Sequence, residues 1–234
     1  MFPSVAAGAR FQPASDQSLI VYFGERITLQ AHQEVVQLVR LLQSEPVSGI
    51  RNLHPAYCSL LVKFDPLQLR HGDVEATLRT YLDRVERIPI SEPHLIEIPV
   101  CYGGEYGPDL AEVCALQGLT QTQTIDLHTS VDYVVYFLGF VPGFAYLGQL
   151  PDALVTPRLP VPRRTVPPGS VGIAGSQTGV YPFATPGGWR LLGRTPMKMF
   201  RPDETALSRL TIGDRVRFVP ISPEQFLALE QTQW

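Results

Sequence analysis

The sequence predicts an α+β protein with two domains: a small sheet-and-helix domain over residues 1–90 and a closed β-barrel over residues 91–234. Two observations lead to this prediction. Strand and helix patterns alternate from Gln17 to Pro99. Between Gly139 and Pro196, by contrast, ten glycines and ten prolines fall in fifty-eight residues. Short apolar segments lie between them, as is typical of all-β units, because proline rarely enters the interior of a helix.

The first domain is predicted to alternate strands and helices. SLIVYF reads as a strand, and Thr28 is expected to cap a helix that Pro46 ends. GIRNLH and YCSLLVKF are expected to pair and to turn near Pro55, and Asp73 is expected to cap a second helix. With LIEIPV as a further strand, the order is βαββαβ. This order predicts a sheet with two helices on one face, the ferredoxin-like arrangement.

The boundary between the domains is predicted between Arg87 and Pro93, a short polar segment with two prolines. At the other end of the first domain, two alternatives stay open for the first fifteen residues, which are either disordered or an additional edge strand.

The second domain is predicted to begin with two short helices. Pro108 and Asp109 begin the first, Gly118 is suited to its left-handed C-terminal position, and the second runs from about Gln121 to His128. Short apolar strands follow, and a final helix is expected from Pro223. The predicted strands are VVYFLGF, SVGIAG, WRLLG and RVRFVP.

Composition and charge exclude several classes of function. The chain is 44% hydrophobic and 18% charged with a net charge of −3, which argues against broad binding to nucleic acids or membrane surfaces. No secretory signal is visible, and the longest apolar run is fourteen residues, shorter than the roughly 20 that a bilayer span needs. The three cysteines predict buried thiols in a reducing compartment. We therefore expect a cytoplasmic protein.

Positive charge is concentrated in the barrel segment. Tyr133 to Pro202 contains seven basic residues and one acidic residue, a local charge of +6, whereas the remaining chain carries −9. Two interpretations stay open: a solvated basic face that docks an acidic partner, or a site for a carboxylate or phosphate.

No self-contained catalytic constellation is visible. The stretch GSVGIAGSQTGVYPFATPGGW (residues 169–189) has six glycines and no charged residue. It lacks the GK[ST] ending of a phosphate loop, and Ser176 is one residue out of register for a nucleophile elbow. His128 has no recognisable partner in the sequence, and no metal-ligand pattern is present.

Several motifs together resemble one bacterial family. IEIPVCYGGEYGPDL, YVVYFLGFVPGFAYLG, PPGSVGIAGSQTGVYPFATPGGWRLLGRTP and GDRVRFVPI resemble allophanate hydrolase subunit 1, KipI and the B-type subunit of 5-oxoprolinase (PxpB). The resemblance covers nearly the whole chain. Ala145 and Ser176 depart from the usual family residues, and neither change removes a polar group.

The resemblance implies a ferredoxin-like N-terminal domain and a cyclophilin-like barrel. It also implies a subunit of an ATP-hydrolysing 5-oxoprolinase that is inactive alone. This enzyme opens 5-oxo-L-proline to L-glutamate together with an A-type subunit and a C-type barrel subunit of the allophanate hydrolase subunit 2 family. ATP is the co-substrate, and its site is on this chain or on a partner. Two alternatives stay open: a KipI-like inhibitor of a sensor histidine kinase, and a carboxyltransferase-like subunit that acts on a urea-like amide.

In this setting the glycine-rich stretch is expected to form one wall of a shared pocket. Its turns would present backbone N–H groups to developing negative charge without adding fixed charge. The expected donor residues are Gly169, Ser170, Gly172, Gly175, Gly179, Gly187 and Gly188.

Side chains are expected to complete this pocket. Gln177 and Thr178 would hydrogen-bond the substrate, and Arg163 or Arg194 would neutralise a carboxylate or phosphate. An apolar wall of Tyr146 and Phe144 and an acid/base or orienting role for His128 complete the hypothesis. For the aromatic residues, a place in the core is the competing interpretation.

Overall fold

The computed structural model describes residues 8–85, 93–202 and 207–232, which form two compact units. The second unit begins at Pro93. The predicted boundary segment lies, except for Pro93 itself, outside the described residues.

Over its described residues, 8–85, the first unit forms a four-stranded antiparallel sheet with two long helices. Its elements are β1 (Arg10–Ser15), β2 (Ser18–Tyr22), α1 (Leu29–Ser44), β3 (Ile50–Ala56), β4 (Ser59–Phe64) and α2 (His71–Val85). The strands follow the order β1-β2-β4-β3. Of the two alternatives for the first fifteen residues, Arg10–Ser15 adopts the edge strand, and residues 1–7 lie outside the described part.

The element order of this unit differs from the prediction. LIEIPV does not join it, because Ile98 and Val100 are buried in the core of the second unit. The order of the described elements is therefore ββαββα. The predicted βαββαβ order is wrong at its last strand, whereas the additional strand at its start is the edge-strand alternative that the sequence left open. The initial strand gives a weak sequence signal, because RFQPAS has one partly buried position and contains a proline.

The helices of the first unit bury apolar stripes in one core. Thr28 caps α1 as predicted, since its hydroxyl accepts a hydrogen bond from the Ala31 N–H. Asp73 is not the cap of α2, because the helix begins two residues earlier, at His71. The Asp73 carboxylate instead accepts a hydrogen bond from the Arg70 N–H at 2.9 Å.

The second unit contains a closed seven-stranded barrel, which confirms the barrel prediction. The barrel strands are β5 (Leu95–Tyr102), β6 (Tyr133–Leu138), β7 (Ala145–Gly148), β9 (Ser170–Ala174), β10 (Gln177–Val180), β12 (Arg190–Arg194) and β13 (Arg215–Pro220). They follow the cyclic order β6-β13-β5-β12-β9-β10-β7, and β7 pairs back onto β6. The pair of β5 and β13 is parallel.

The remaining elements pack around this barrel. They are α3 (Leu110–Gln117), α4 (Gln121–Thr129), α5 (Pro223–Gln231) and a two-stranded sheet of β8 (Arg163–Val166) and β11 (Thr185–Gly187). Gly118 ends α3 with a φ of 66°, and Ser222 and Gln225 form a capping box at the start of α5. Both helix ends lie where the sequence places them.

The three cysteines are free thiols. Cys101 and Cys114 are buried as predicted, whereas Cys58 is partly exposed.

We predict that Gly179→Ala destabilises the barrel by about 1–3 kcal/mol, because overpacking a strand forces backbone to move. A Cβ at Gly179 would lie 2.7 Å from the carbonyl oxygen of Ala145. Chemical denaturation followed by near-ultraviolet circular dichroism measures the change. Gly188→Ala is the matched control, since its Cβ would meet Pro162 at an ordinary 3.6 Å. Equal unfolding free energies for the two variants would contradict this role of Gly179.

Candidate functional site

As predicted for SVGIAG, part of the glycine-rich stretch forms barrel strands, and the exposed Gly175 lies between β9 and β10. Gly172 and Gly179 face each other across the hairpin of β9 and β10. The Gly169 N–H donates to the Tyr181 carbonyl at 2.7 Å, and the Gly175 N–H donates to the Thr156 carbonyl at 2.7 Å. These amides are engaged within the chain, so the structure corrects the expectation that they are free donors.

Three of the other expected donor residues, Ser170, Gly187 and Gly188, also contact other parts of the chain. The Ser170 N–H donates to the Pro167 carbonyl, and Ser170 is buried. Gly187 packs against the Tyr181 ring, and the Gly188 carbonyl accepts from the Leu159 N–H. Small residues are needed in this stretch because aromatic rings lie directly against the strands.

An aromatic cluster explains why the stretch lacks charge. Phe144, Tyr181 and Trp189 are buried together and meet edge to face. Phe144 is therefore a core residue, not an apolar pocket wall. Tyr146 packs edge-on against Trp189 at the border of the same cluster and is partly buried.

His128 lies inside the barrel unit and is fully buried. Its Nδ1 is 2.7 Å from the Tyr102 hydroxyl, and its Nε2 is 2.9 Å from the Thr178 hydroxyl. The Thr178 hydroxyl in turn donates to the Gly172 carbonyl at 3.1 Å. The His128 ring stacks on Phe218 with the ring centroids 4.6 Å apart.

The protons of this chain of hydrogen bonds can be assigned. The single Thr178 hydroxyl proton goes to Gly172, so Thr178 must accept from His128 Nε2–H, and His128 Nδ1 must accept from Tyr102. His128 is thus the neutral Nε2–H tautomer. Burial lowers the pKa of His128 from 6.5 to about 3 and raises the pKa of Tyr102 well above its ordinary value.

This geometry corrects two expected site residues. His128 and Thr178 have no exposed surface, and each is saturated by partners within the chain. Both are therefore structural members of this hydrogen-bond chain. Gln177 begins β10 opposite Gly148 and is partly buried. It does not line the cavity at Arg194.

Two of the basic residues in the barrel segment are neutralised by carboxylates from α3 and its N-terminus. Arg163 Nη2 lies 2.6 Å from Asp109, whose other oxygen accepts from the Leu191 N–H at 2.7 Å. Arg190 lies 2.7 Å from Glu112. Arg163 is therefore a structural tie between β8 and β12, and the structure does not support it as a substrate ligand.

Arg194 instead lies at a cavity of about 330 Å³ in the second unit. This volume is within the range of small-molecule sites. The end of β12 and the segment after it form one wall, and α5 contributes another. The lining includes Gly169, Pro182, Arg194, Lys198, Phe200 and Glu230.

The cavity brings together two cations that are weakly compensated. Arg194 Nε donates to the Pro168 carbonyl at 2.9 Å, and its Nη2 is 3.9 Å from Glu230. Its guanidinium also lies over the Phe226 ring, 5.7 Å from the centroid. Among the described residues, the Lys198 ammonium has no hydrogen-bond or ion-pair partner. The cavity therefore has the chemistry of an anion site.

An exposed apolar rim adjoins the cavity. Phe140 is 56% exposed and has a φ of 70°, in the left-handed region that large side chains rarely adopt. Phe183 is exposed and meets Phe200 edge to face. A Cβ at Gly143 would lie 2.7 Å from the Phe200 Cβ, so the Phe140 loop borders the cavity wall. We call Phe140, Phe183 and Phe200 the aromatic rim.

Sequence reasoning found Arg194 and Gly169 but missed Glu230 and the aromatic rim. Glu230 is on the C-terminal helix, thirty-six positions from Arg194, and no local pattern predicts that they meet. Within the described residues, no group of three or more His, Cys, Asp or Glu is placed to hold a metal ion. No helix in the described part of the chain is long and apolar enough to cross a bilayer.

Comparison with known structures places the fold. The Kluyveromyces lactis urea carboxylase structure aligns with a TM-score of 0.76 at 17% identity, over 96% of this chain and 23% of that chain. At this identity the likeness shows the fold alone. The crystal structure of TTHA0988 aligns with a TM-score of 0.78 at 36% identity, over 88% of this chain. This chain spans about 40% of the length of that protein.

Comparison with known sequences places the family. The family described as "Carboxyltransferase domain, subdomain C and D" matches residues 9–210. The chain is 40% identical to the B-type subunit of 5-oxoprolinase from Bacillus subtilis (strain 168), over 95% of this chain and 97% of the relative. It is 42% identical to the B-type subunit of 5-oxoprolinase from Escherichia coli O157:H7, over 91% and 96%. The chain therefore belongs to the carboxyltransferase domain C and D family. Within that family, it groups with the B-type subunits of 5-oxoprolinase.

We predict that the burial of neutral His128 makes the barrel unit less stable in mild acid. The folded-state pKa lies below the unfolded value of 6.5, so the stabilising contribution is complete above pH 6.5 and declines toward pH 3. The unfolding free energy should fall by roughly 2 kcal/mol between about pH 7.5 and 5 from this group. Denaturant titrations of the wild type and His128→Gln at both pH values measure it. The same decrease in the variant would contradict the assignment.

Proposed function

We propose that this chain is the B-type subunit of an ATP-dependent 5-oxoprolinase, which opens 5-oxo-L-proline to L-glutamate with ATP hydrolysis. The observation that carries the proposal is the identity of 40% and 42% to two relatives of that name over nearly the full length of both chains. The cationic cavity supports it, because both 5-oxoproline and ATP are anions.

In this proposal the cavity binds the negative charge of the substrate or of a phosphorylated intermediate. Arg194 supplies two terminal nitrogens that carry no hydrogen bond among the described residues, and Lys198 supplies a point charge on a long side chain. Ring opening requires charge stabilisation where the lactam oxygen becomes anionic, and fixed cations provide it in a sheltered site. ATP is a co-substrate of the whole complex.

The active enzyme in this proposal also contains an A-type and a C-type subunit. The aromatic rim supports a partner at the cavity mouth, because large exposed aromatic side chains are typical of interface cores. Phe140 is held in an unfavourable backbone conformation while mostly exposed, which suits a side chain that a partner buries. We assign this rim to the C-type subunit, so the isolated chain has an incomplete catalytic site and no turnover of its own.

Co-expression with neighbouring A- and C-type subunits tests the function. We expect glutamate release from 5-oxoproline by the purified complex only when ATP is present and only when this chain is included. No turnover by the complete set would contradict the proposal. Inhibition of sensor-kinase autophosphorylation by this chain would then favour the regulatory alternative.

We predict that Phe140→Ser weakens binding of the C-type subunit by at least about tenfold, because interface aromatic residues often carry more than about 1 kcal/mol of binding energy. Biolayer interferometry with the purified C-type subunit measures the dissociation constant. Val161→Ser is the matched control, since Val161 is 79% exposed and lies outside the rim. Thermal unfolding verifies that both variants fold. Equal affinities for the two variants would place the interface elsewhere.

A further inference from the structure

The cavity has a negative as well as a positive pole. Glu230 projects from α5 into the same lining as Arg194, with the Arg194 Nη2 and Glu230 Oε1 atoms 3.9 Å apart. This separation exceeds a hydrogen bond, so the two groups attract each other without saturating one another. The Glu230 side chain is half exposed, and this is its one ion pair among the described residues.

The spacing of these two groups matches a ligand with a neighbouring acceptor and donor. A carboxylate oxygen and an N–H on the same carbon lie about 3 Å apart by standard bond lengths. Placed against the cavity wall, the ligand oxygen would face Arg194 and the ligand N–H would face Glu230. The Arg194 guanidinium, the ligand carboxylate, the ligand N–H and the Glu230 carboxylate then alternate in charge. Arg194 donates a hydrogen bond to the ligand, and Glu230 accepts one from it.

We propose that Arg194 and Glu230 form a two-point site for a carboxylate whose α-carbon bears an N–H group, with Lys198 as a second contact to the carboxylate. Resting on the proposed function, the ligand is 5-oxoproline, whose ring N–H is attached to the carbon that bears the carboxylate. Glu230 accepts a hydrogen bond from this N–H, and this contact distinguishes the lactam from small carboxylates that lack the N–H. The site lies wholly on this chain and does not need the partner subunits for recognition.

The remaining contacts of Arg194 hold it in position for this role. Its Nε is occupied by the Pro168 carbonyl, and Phe226 lies beneath the guanidinium plane. The side chain is thus anchored on two sides while Nη1 and Nη2 stay available to a carboxylate. Arg163 is less suited to this role, because a ligand there would compete with Asp109, which lies 2.6 Å away.

The inference is tested by titrating two matched ligands into the purified full chain and following binding by nuclear magnetic resonance. The probes are 5-oxoproline and 5-oxotetrahydrofuran-2-carboxylate, in which a ring oxygen replaces the N–H. We expect wild type to bind the lactam about tenfold more tightly than the lactone, since the lactone leaves Glu230 facing an acceptor. Glu230→Ala should bind both ligands equally, and Glu230→Gln, which keeps an acceptor oxygen, should retain part of the preference.

Two further variants complete the design. Arg194→Ala should weaken both ligands by at least about tenfold, and Arg164→Ala, an exposed arginine outside the cavity, should change neither. An undiminished lactam preference in Glu230→Ala, or no binding by wild type, would overturn the inference.

The assay of the complex separates the two ideas. If the complex releases glutamate but the preference for the lactam over the lactone does not depend on Glu230, only the two-point site is contradicted. If the chain binds the lactam with the expected preference but the complete complex releases no glutamate, the proposed function is contradicted and the two-point site is supported.

Discussion

Closure of the barrel depends on the close approach of β9 and β10 at Gly172 and Gly179. Because neither residue has a side chain, Trp189 and Phe144 pack directly on the hairpin, and Thr178 hydrogen-bonds the Gly172 carbonyl. His128 continues that hydrogen bond to Tyr102 on β5. One polar chain thus joins two strands that are not neighbours in the barrel. A fully satisfied buried network of this kind specifies strand positions, whereas a partly satisfied one destabilises them.

The same architecture decides where positive charge is available. The barrel segment has a charge of +6 in the sequence, but Asp109 and Glu112 come from the α3 region and neutralise Arg163 and Arg190. Paired, largely buried cations cannot bind a ligand without leaving a carboxylate unpaired. Of the five other basic residues of this segment, two line the cavity, Arg194 and Lys198. Arg163 and Arg190 fit neither interpretation of the basic segment, because their charge is used within the chain. Arg194 and Lys198 fit the interpretation of an anion site.

Sequence patterns predicted the elements well where local chemistry determines them. Thr28, Gly118 and Pro223 mark helix ends that the structure reproduces, because caps act over a few residues. Patterns failed where distant segments decide the outcome. LIEIPV alternates like any strand, and its pairing with β13 and β12, both distant in sequence, assigns it to the barrel. The expectation of free N–H groups at Gly169 and Gly175 was wrong, because both amides donate to carbonyls of distant segments that no local pattern reveals. The partners of His128 are likewise distant in sequence.

The position of α5 connects the fold to the proposed chemistry. This helix packs Phe226 under Arg194 and Glu230 beside it, so one element both orients the cation and supplies the opposite pole. A loop could not hold both groups with the same accuracy, since a helix fixes residues four apart on one face. In the proposed site, substrate binding by this chain rests on β12 and α5, which belong to one unit. Catalysis needs the ATP and water chemistry that these residues do not provide, and this division explains why a folded barrel with a substrate site would still require companion subunits.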